Sequence, residues 1–134
     1  MQESTVRKVS LAFGAVYLLI GLLGFVPGIT VPSHRMGGMA GEGLLLGLFA
    51  VNALHNVAHL ILGAVLVWAG TRAAHPFAVN RYMAGVFLLL FVGSFIAPVV
   101  EGVSLNPPDS VLHLASAMLT GYLGFQRNRV LAAS

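Results

Sequence analysis

Four uninterrupted apolar runs govern what this chain can fold into. They extend from about Val9 to Val26, Leu44 to Gly70, Tyr82 to Val100 and Val111 to Phe125. Each approaches the roughly 20 helical residues that cross a ~30 Å hydrocarbon core. Strands of a membrane β-barrel would alternate apolar and polar positions, and these runs are continuous, so that architecture is set aside. Only 8% of the 134 residues are charged, against about a quarter in soluble domains. The mean hydropathy is +0.90. The expected fold is an all-α integral membrane four-helix bundle, a single domain with spans at about 8–26, 44–70, 81–100 and 107–126.

The formal net charge of +3 is small, and its distribution carries the information. Arg7 and Lys8 precede the first run, Arg72 and Arg81 flank the second connection, and Arg127 and Arg129 follow the last run. The bias of Lys and Arg toward cytoplasmic flanks predicts cytoplasmic termini, with Pro27 to Gly43 and Glu101 to Ser110 facing outward. The basic balance thus reports topology and attraction to a lipid bilayer with anionic headgroups, and it offers no nucleic-acid surface. The first run, at about 18 residues, exceeds the usual 7 to 15 of a signal peptide and has no small-x-small site before Pro27. It reads as a retained helix. The absence of cysteine excludes disulfides, thiolate metal ligands and cysteine nucleophiles.

Aligning the second and fourth runs on "LHNVAHLILG" and "LHLASAMLTG" brings a Leu-His pair into register, with Gly63 and Gly121 each eight residues after the histidine. The match predicts two helical hairpins repeated in parallel about an axis along the membrane normal. In "NPPDSVLH", Asn106 is a good N-cap, Pro107 suits the first helical position and Asp109 is a favoured first-turn acid. Gly14, Gly21, Gly24, Gly63 and Gly121 are small positions at which helices can approach closely in lipid.

Against this background the polar residues are conspicuous. Asn52, His55, Asn56 and His59 fall at i, i+3, i+4 and i+7, and Asp109, His113, Ser116 and Thr120 at i, i+4, i+7 and i+11. Each set forms one stripe along a helix. Two polar stripes on apolar helices avoid lipid by facing one another or a shared interior. At 1.5 Å per residue His59 lies ~20 Å from Arg72 and His113 ~21 Å from Arg127, so the histidines share a height in the outer half of the bilayer.

His-x-x-x-His opposite Asp-x-x-x-His offers four ligands, His55, His59, His113 and Asp109, to a transition metal such as Zn²⁺, Fe²⁺, Mn²⁺ or Cu²⁺. The same residues also suit interhelical hydrogen bonding in a seam of Asn52, His55, Asn56, His59, Asp109, His113 and Ser116. A bis-histidine haem b between His113 and His55 or His59 and a proton or small-ligand pathway are further readings. The leading expectation is a non-catalytic structural or accessory module, self-associating as a homo-oligomer or joined to a larger membrane complex. No nucleophile elbow, phosphate loop or hydrolytic carboxylate pair supports a soluble-enzyme mechanism. His34, Arg35 and Glu42 read as a solvated outer loop, His75 as an exposed turn residue and Glu101 as interfacial. Ser94 and Thr120 are expected to satisfy their hydroxyls on backbone carbonyls. Phe25, Trp68, Tyr82, Phe95, Tyr122 and Phe125 sit near span ends as anchors.

At "GLFAVNALHNVAHLILG" and "NPPDSVLHLASAMLTG" the chain resembles a bacterial family of small four-span membrane proteins, catalogued as domain of unknown function four-three-eight-three. The resemblance rests on Asn52, His55, Asn56, His59 and Leu60, then Asn106, Asp109, Leu112 and His113. It implies the four-span topology and a bacterial inner-membrane location, and it implies no activity.

Overall fold

A computed structural model describes residues 1–31, 43–96 and 107–126. Four helices dominate: α1 (Glu3–Leu23), α2 (Ala53–Thr71), α3 (Pro76–Ile96) and α4 (Pro107–Gly124). Among the described residues, Glu3–Leu23, Ala53–Thr71 and Pro76–Phe95 are long and apolar enough to cross a membrane. α4 is shorter, at 18 residues, and buries Asp109, Ser110, His113, Ser116 and Thr120.

The helices pack chiefly as two hairpins, α1 on α2 and α3 on α4. In the first hairpin glycine brings the backbones together. A Cβ on Gly14 would come within 2.6 Å of the Val67 nitrogen, and one on Gly63 within 2.7 Å of the Leu18 nitrogen. The aligned Gly121 serves no such contact, since its nearest neighbour would be the Ala84 Cβ at 3.7 Å. At the end of α1, Gly24 leaves space that the side chain of Asn56 occupies.

Local chemistry explains the helix ends. Arg7 reaches from α1 to donate to the carbonyl oxygens of Ala69, in the last turn of α2, and of Ala73 just beyond its end, at 3.4 and 2.9 Å. Pro76 opens α3 at a position that has no use for an amide proton. α3 therefore begins about a turn before the expected residue 81. α4 begins at Pro107 as expected.

The second apolar run is not helical throughout. Residues expected to continue α2 back to Leu44 form β2 (Gly43–Leu45) and β3 (Phe49–Val51), which with β1 (Thr30–Val31) make a three-stranded antiparallel sheet in the order β1-β2-β3. An apolar run without periodicity suits a buried strand as well as a helix. The break is supplied by Gly47 and by Asn52, whose side chain accepts the His55 amide at 2.8 Å and caps α2. Expectations for His34, Arg35, Glu42, Glu101, Asn106, Arg127 and Arg129 lie outside the described residues.

What the fold buries is unusual. Beside Val6, Leu66 and Leu123, the helices bury many small or polar residues: Ser10, Gly14, Tyr17 and Gly21 on α1, His55, Asn56, His59 and Gly63 on α2, and Asp109, His113, Ser116 and Thr120 on α4. The outward surface carries Leu19, Leu22, Ile61, Trp68, Leu89, Val111 and Met118, all exposed. Phe25, Tyr82, Phe95, Tyr122 and Phe125 are exposed with them.

Candidate metal centre

α2 and α4 meet through side chains at one level. His55 Nε2 and Asp109 Oδ2 are 2.8 Å apart, and His113 Nε2 stands 3.9 Å from Asp109 Oδ1. The ring of His59 lies 4.6 Å from that of His55 and 6.5 Å from that of His113, centroid to centroid. The four residues are buried, and one ligand atom from each falls within 4.8 Å of all the others. The two i, i+4 pairs deduced from spacing thus come together at a shared height.

His59 sits between its neighbours without satisfying itself. Neither of its ring nitrogens has a hydrogen-bond partner among the described residues, at 2% exposure of the side chain's residue. A buried imidazole with two idle nitrogens is costly in an apolar interior. Among the described residues, His55 and His113 each leave Nδ1 without a partner as well. No described residue supplies at that atom the outer acceptor that ordinarily fixes a ligating histidine, so packing carries more of the ring orientation.

Tyr17 of α1 provides that packing. Its ring stacks on His59 at 4.8 Å with an interplanar angle of 11°. Its hydroxyl lies 2.6 Å from Ser116 Oγ, and Ser116 Oγ lies 2.7 Å from the Leu112 carbonyl oxygen. Ser116 has one proton and gives it to the carbonyl, so Tyr17 donates to Ser116. The apolar cluster of Tyr17, Leu66, Met83 and Phe87 packs beside this layer.

The remaining expected residues take other places. Asn52 caps α2 and Asn56 packs over Gly24. Ser94 and Thr120 donate to the carbonyl oxygens of Phe91 and Ser116, at 2.6 and 2.7 Å, and His75 is exposed. Sequence reasoning missed Tyr17, although Ser10, Gly14, Tyr17 and Gly21 recur on one helical face. It also missed Asn80, which is fully buried on α3 and donates to Ser10 Oγ at 2.8 Å.

Three imidazoles and a carboxylate form a set of borderline and hard donors suited to Zn²⁺, Mn²⁺, Fe²⁺ or Cu²⁺. Ligand atoms around a tetrahedral ion at about 2.0–2.1 Å stand roughly 3.4 Å apart, so modest side-chain rotations bring this cluster to ligand distance.

A family model described as a domain of unknown function, DUF4383, matches residues 7–126. No curated protein and no solved structure matches the chain.

Proposed function

The chain belongs to the DUF4383 family, whose function is unknown, and we propose that it is a membrane-embedded protein that binds a transition-metal ion through His55, His59, His113 and Asp109. Membrane insertion is supported by the inverted distribution of residues. A chain in water would gain by burying Leu89, Tyr82 and Ile61 and exposing Asp109, Ser116 and Asn80, whereas this one does the reverse. Four helices packed as a bundle in a bacterial inner membrane satisfy both sets of groups. The Arg and Lys distribution supports termini on the cytoplasmic side and a metal centre nearer the opposite face.

The observation that carries metal binding is His59, buried within a four-ligand cluster with both ring nitrogens unpartnered among the described residues. An ion uses one of those nitrogens directly. A bare ion suits the site better than haem b. A macrocycle between the α2 and α4 histidines would separate His55 from Asp109, which are hydrogen-bonded at 2.8 Å.

A second reading, the non-catalytic structural module, draws on the bonds His55–Asp109 and Tyr17–Ser116, which tie α4 to α2 and α1. Polar contacts of this kind fix helix register in lipid at about 0.6–2 kcal/mol each. The two readings part at His59, which makes no such bond among the described residues.

The deciding experiment is metal loading of the full chain purified in detergent, with Co²⁺ titration followed by visible absorption and bound metal counted by elemental analysis. The expected result is about one ion per chain, with His59→Ala weakening binding at least ~100-fold, beyond the 10–100-fold typical of outer-sphere changes. Sub-stoichiometric binding by the unaltered chain, or unchanged affinity in His59→Ala, would return the site to the structural reading.

A further inference from the structure

The hairpin that replaces the start of the second apolar run ends in a turn that is ill suited to water. Leu46 and Gly47 have φ of 54° and 68°, and the Leu48 amide donates to the Leu45 carbonyl oxygen at 3.0 Å. Positive φ at both central residues marks a type I′ turn, whose first central position favours Asn, Asp or Gly. Leucine there is held in a left-handed conformation that bulky side chains rarely adopt. Its side chain gains little packing in return, because Leu46 is 70% exposed, and Leu48 beyond the turn is 51% exposed.

Other features of the hairpin repeat the theme. The segment Gly43 to Val51 reads GLLLGLFAV and contains no polar side chain. Leu45 and Val51 are buried beneath the sheet, while Val31 on the neighbouring strand is half exposed. β3 runs directly into α2 through Asn52, and the exposed residues of α2 then follow at Leu54, Val57, Ile61 and Trp68. The hairpin leucines therefore adjoin the outward apolar face of α2 along the chain.

We infer that the Leu46–Gly47–Leu48 tip is a lipid-contacting element that inserts its two leucines into the acyl-chain boundary of the membrane, so anchoring the sheet that leads into His55. This inference rests on the membrane insertion proposed above and is independent of the metal. Lipid is the occupant because the exposed tip is uncharged and apolar and continues a helix face with the same character. The depth is limited by the backbone. A three-stranded sheet has open edges whose amides and carbonyls cannot be left in hydrocarbon, so the strands lie at the headgroup level and only the tip reaches inward. The unfavourable φ of Leu46 follows from that demand, since Asn would suit the turn and lose the lipid contact.

The chain has no cysteine, so single cysteines at Leu46, Leu48, Ile61 and His75 can each carry a nitroxide in an otherwise unlabelled full chain. The variants are reconstituted into phosphatidylcholine vesicles, their helicity is checked by circular dichroism, and collisions with oxygen and with a water-soluble nickel chelate are compared. Ile61 is expected to favour oxygen and His75 nickel, with Leu46 and Leu48 favouring oxygen at a shallower depth than Ile61. Nickel-accessible labels at both hairpin positions, with Ile61 in acyl chains, would overturn the hairpin inference and leave membrane insertion standing. Labels at 46 and 48 screened from both reagents would overturn it in favour of contact with a second protein copy. A nickel-accessible label at Ile61 would instead remove the membrane reading and this inference with it. Leu48→Cys keeps the test informative should the turn itself not tolerate Leu46→Cys.

Discussion

His55 and Asp109 stand 54 residues apart on different helices, yet His55 Nε2 and Asp109 Oδ2 lie 2.8 Å from one another in the buried layer that joins α2 to α4. Asp109 also faces His113 on its own helix at 3.9 Å. From sequence the carboxylate reads both as a first-turn acid favoured by the helix dipole and as a candidate ligand facing His55. Its full burial and its bond to His55 agree with the second of these readings.

Substitution at Asp109 separates hydrogen bonding from charge. Asp109→Asn keeps an oxygen that can accept from His55, so the metal-free chain should lose only about 1 kcal/mol. Asp109→Leu leaves His55 buried without this partner and should cost about 2 kcal/mol, near the upper range of measured intramembrane polar contacts. Both should weaken metal binding, because neither supplies an anionic ligand. Unfolding in mixed detergent micelles, followed by helical circular dichroism, measures the first effect and Co²⁺ titration the second. Equal stability losses in the two variants would show that the bond to His55 is not what holds the helices together.

Tyr17 links the apolar core to the His/Asp layer through two separable contacts, its ring on His59 and its hydroxyl on Ser116. Tyr17→Phe should keep the stack, lower stability by about 1 kcal/mol and leave metal affinity close to that of the unaltered chain. Tyr17→Leu should remove the surface that orients His59 and lower metal affinity about tenfold. Ser116→Ala should cost about as much as Tyr17→Phe, and the double variant should fall short of their sum by roughly 1 kcal/mol, because the pair shares one bond. Strict additivity of the two losses would contradict the donor chain from Tyr17 through Ser116 to the Leu112 carbonyl.

The parts of this fold that obey a single helical period were readable in advance. Asn56, His59, Asp109 and His113 announced their faces by spacing, and counting from Arg72 and Arg127 predicts one height for His59 and His113, with His55 and Asp109 a turn further out. The hairpin was not readable in that way, because GLLLGLFAV is apolar at every position and its alternation is hidden. Tyr17 escaped for a different reason. An aromatic in an apolar span has no polar contrast with its neighbours, and only the recurrence of Ser10, Gly14 and Gly21 on the same face marks its direction. The glycines posed a third problem, since sequence treats Gly63 and Gly121 alike while only Gly63 lies against a neighbouring backbone.

That difference among glycines yields a sharp prediction. A Cβ at Gly14 would lie 2.6 Å from the Val67 nitrogen, 2.8 Å from the Gly63 oxygen and 2.9 Å from the Leu66 Cβ. Two of these are neighbouring-helix backbone atoms that cannot rotate aside, so Gly14→Ala must push α1 away from α2. The expected cost is about 1–3 kcal/mol, as for overpacked cores. Displacing α1 should also disturb the Tyr17 ring, one turn further along, and so weaken metal binding. Gly85→Ala is the matched control: nothing lies within 4 Å of its added Cβ, and the change should be neutral or stabilise α3 by up to about 1 kcal/mol through helix propensity. Unfolding of both variants in the same micelles makes the comparison. Similar behaviour in the two would mean that the close approach of α1 and α2 at Gly14 does not govern the stability of this hairpin.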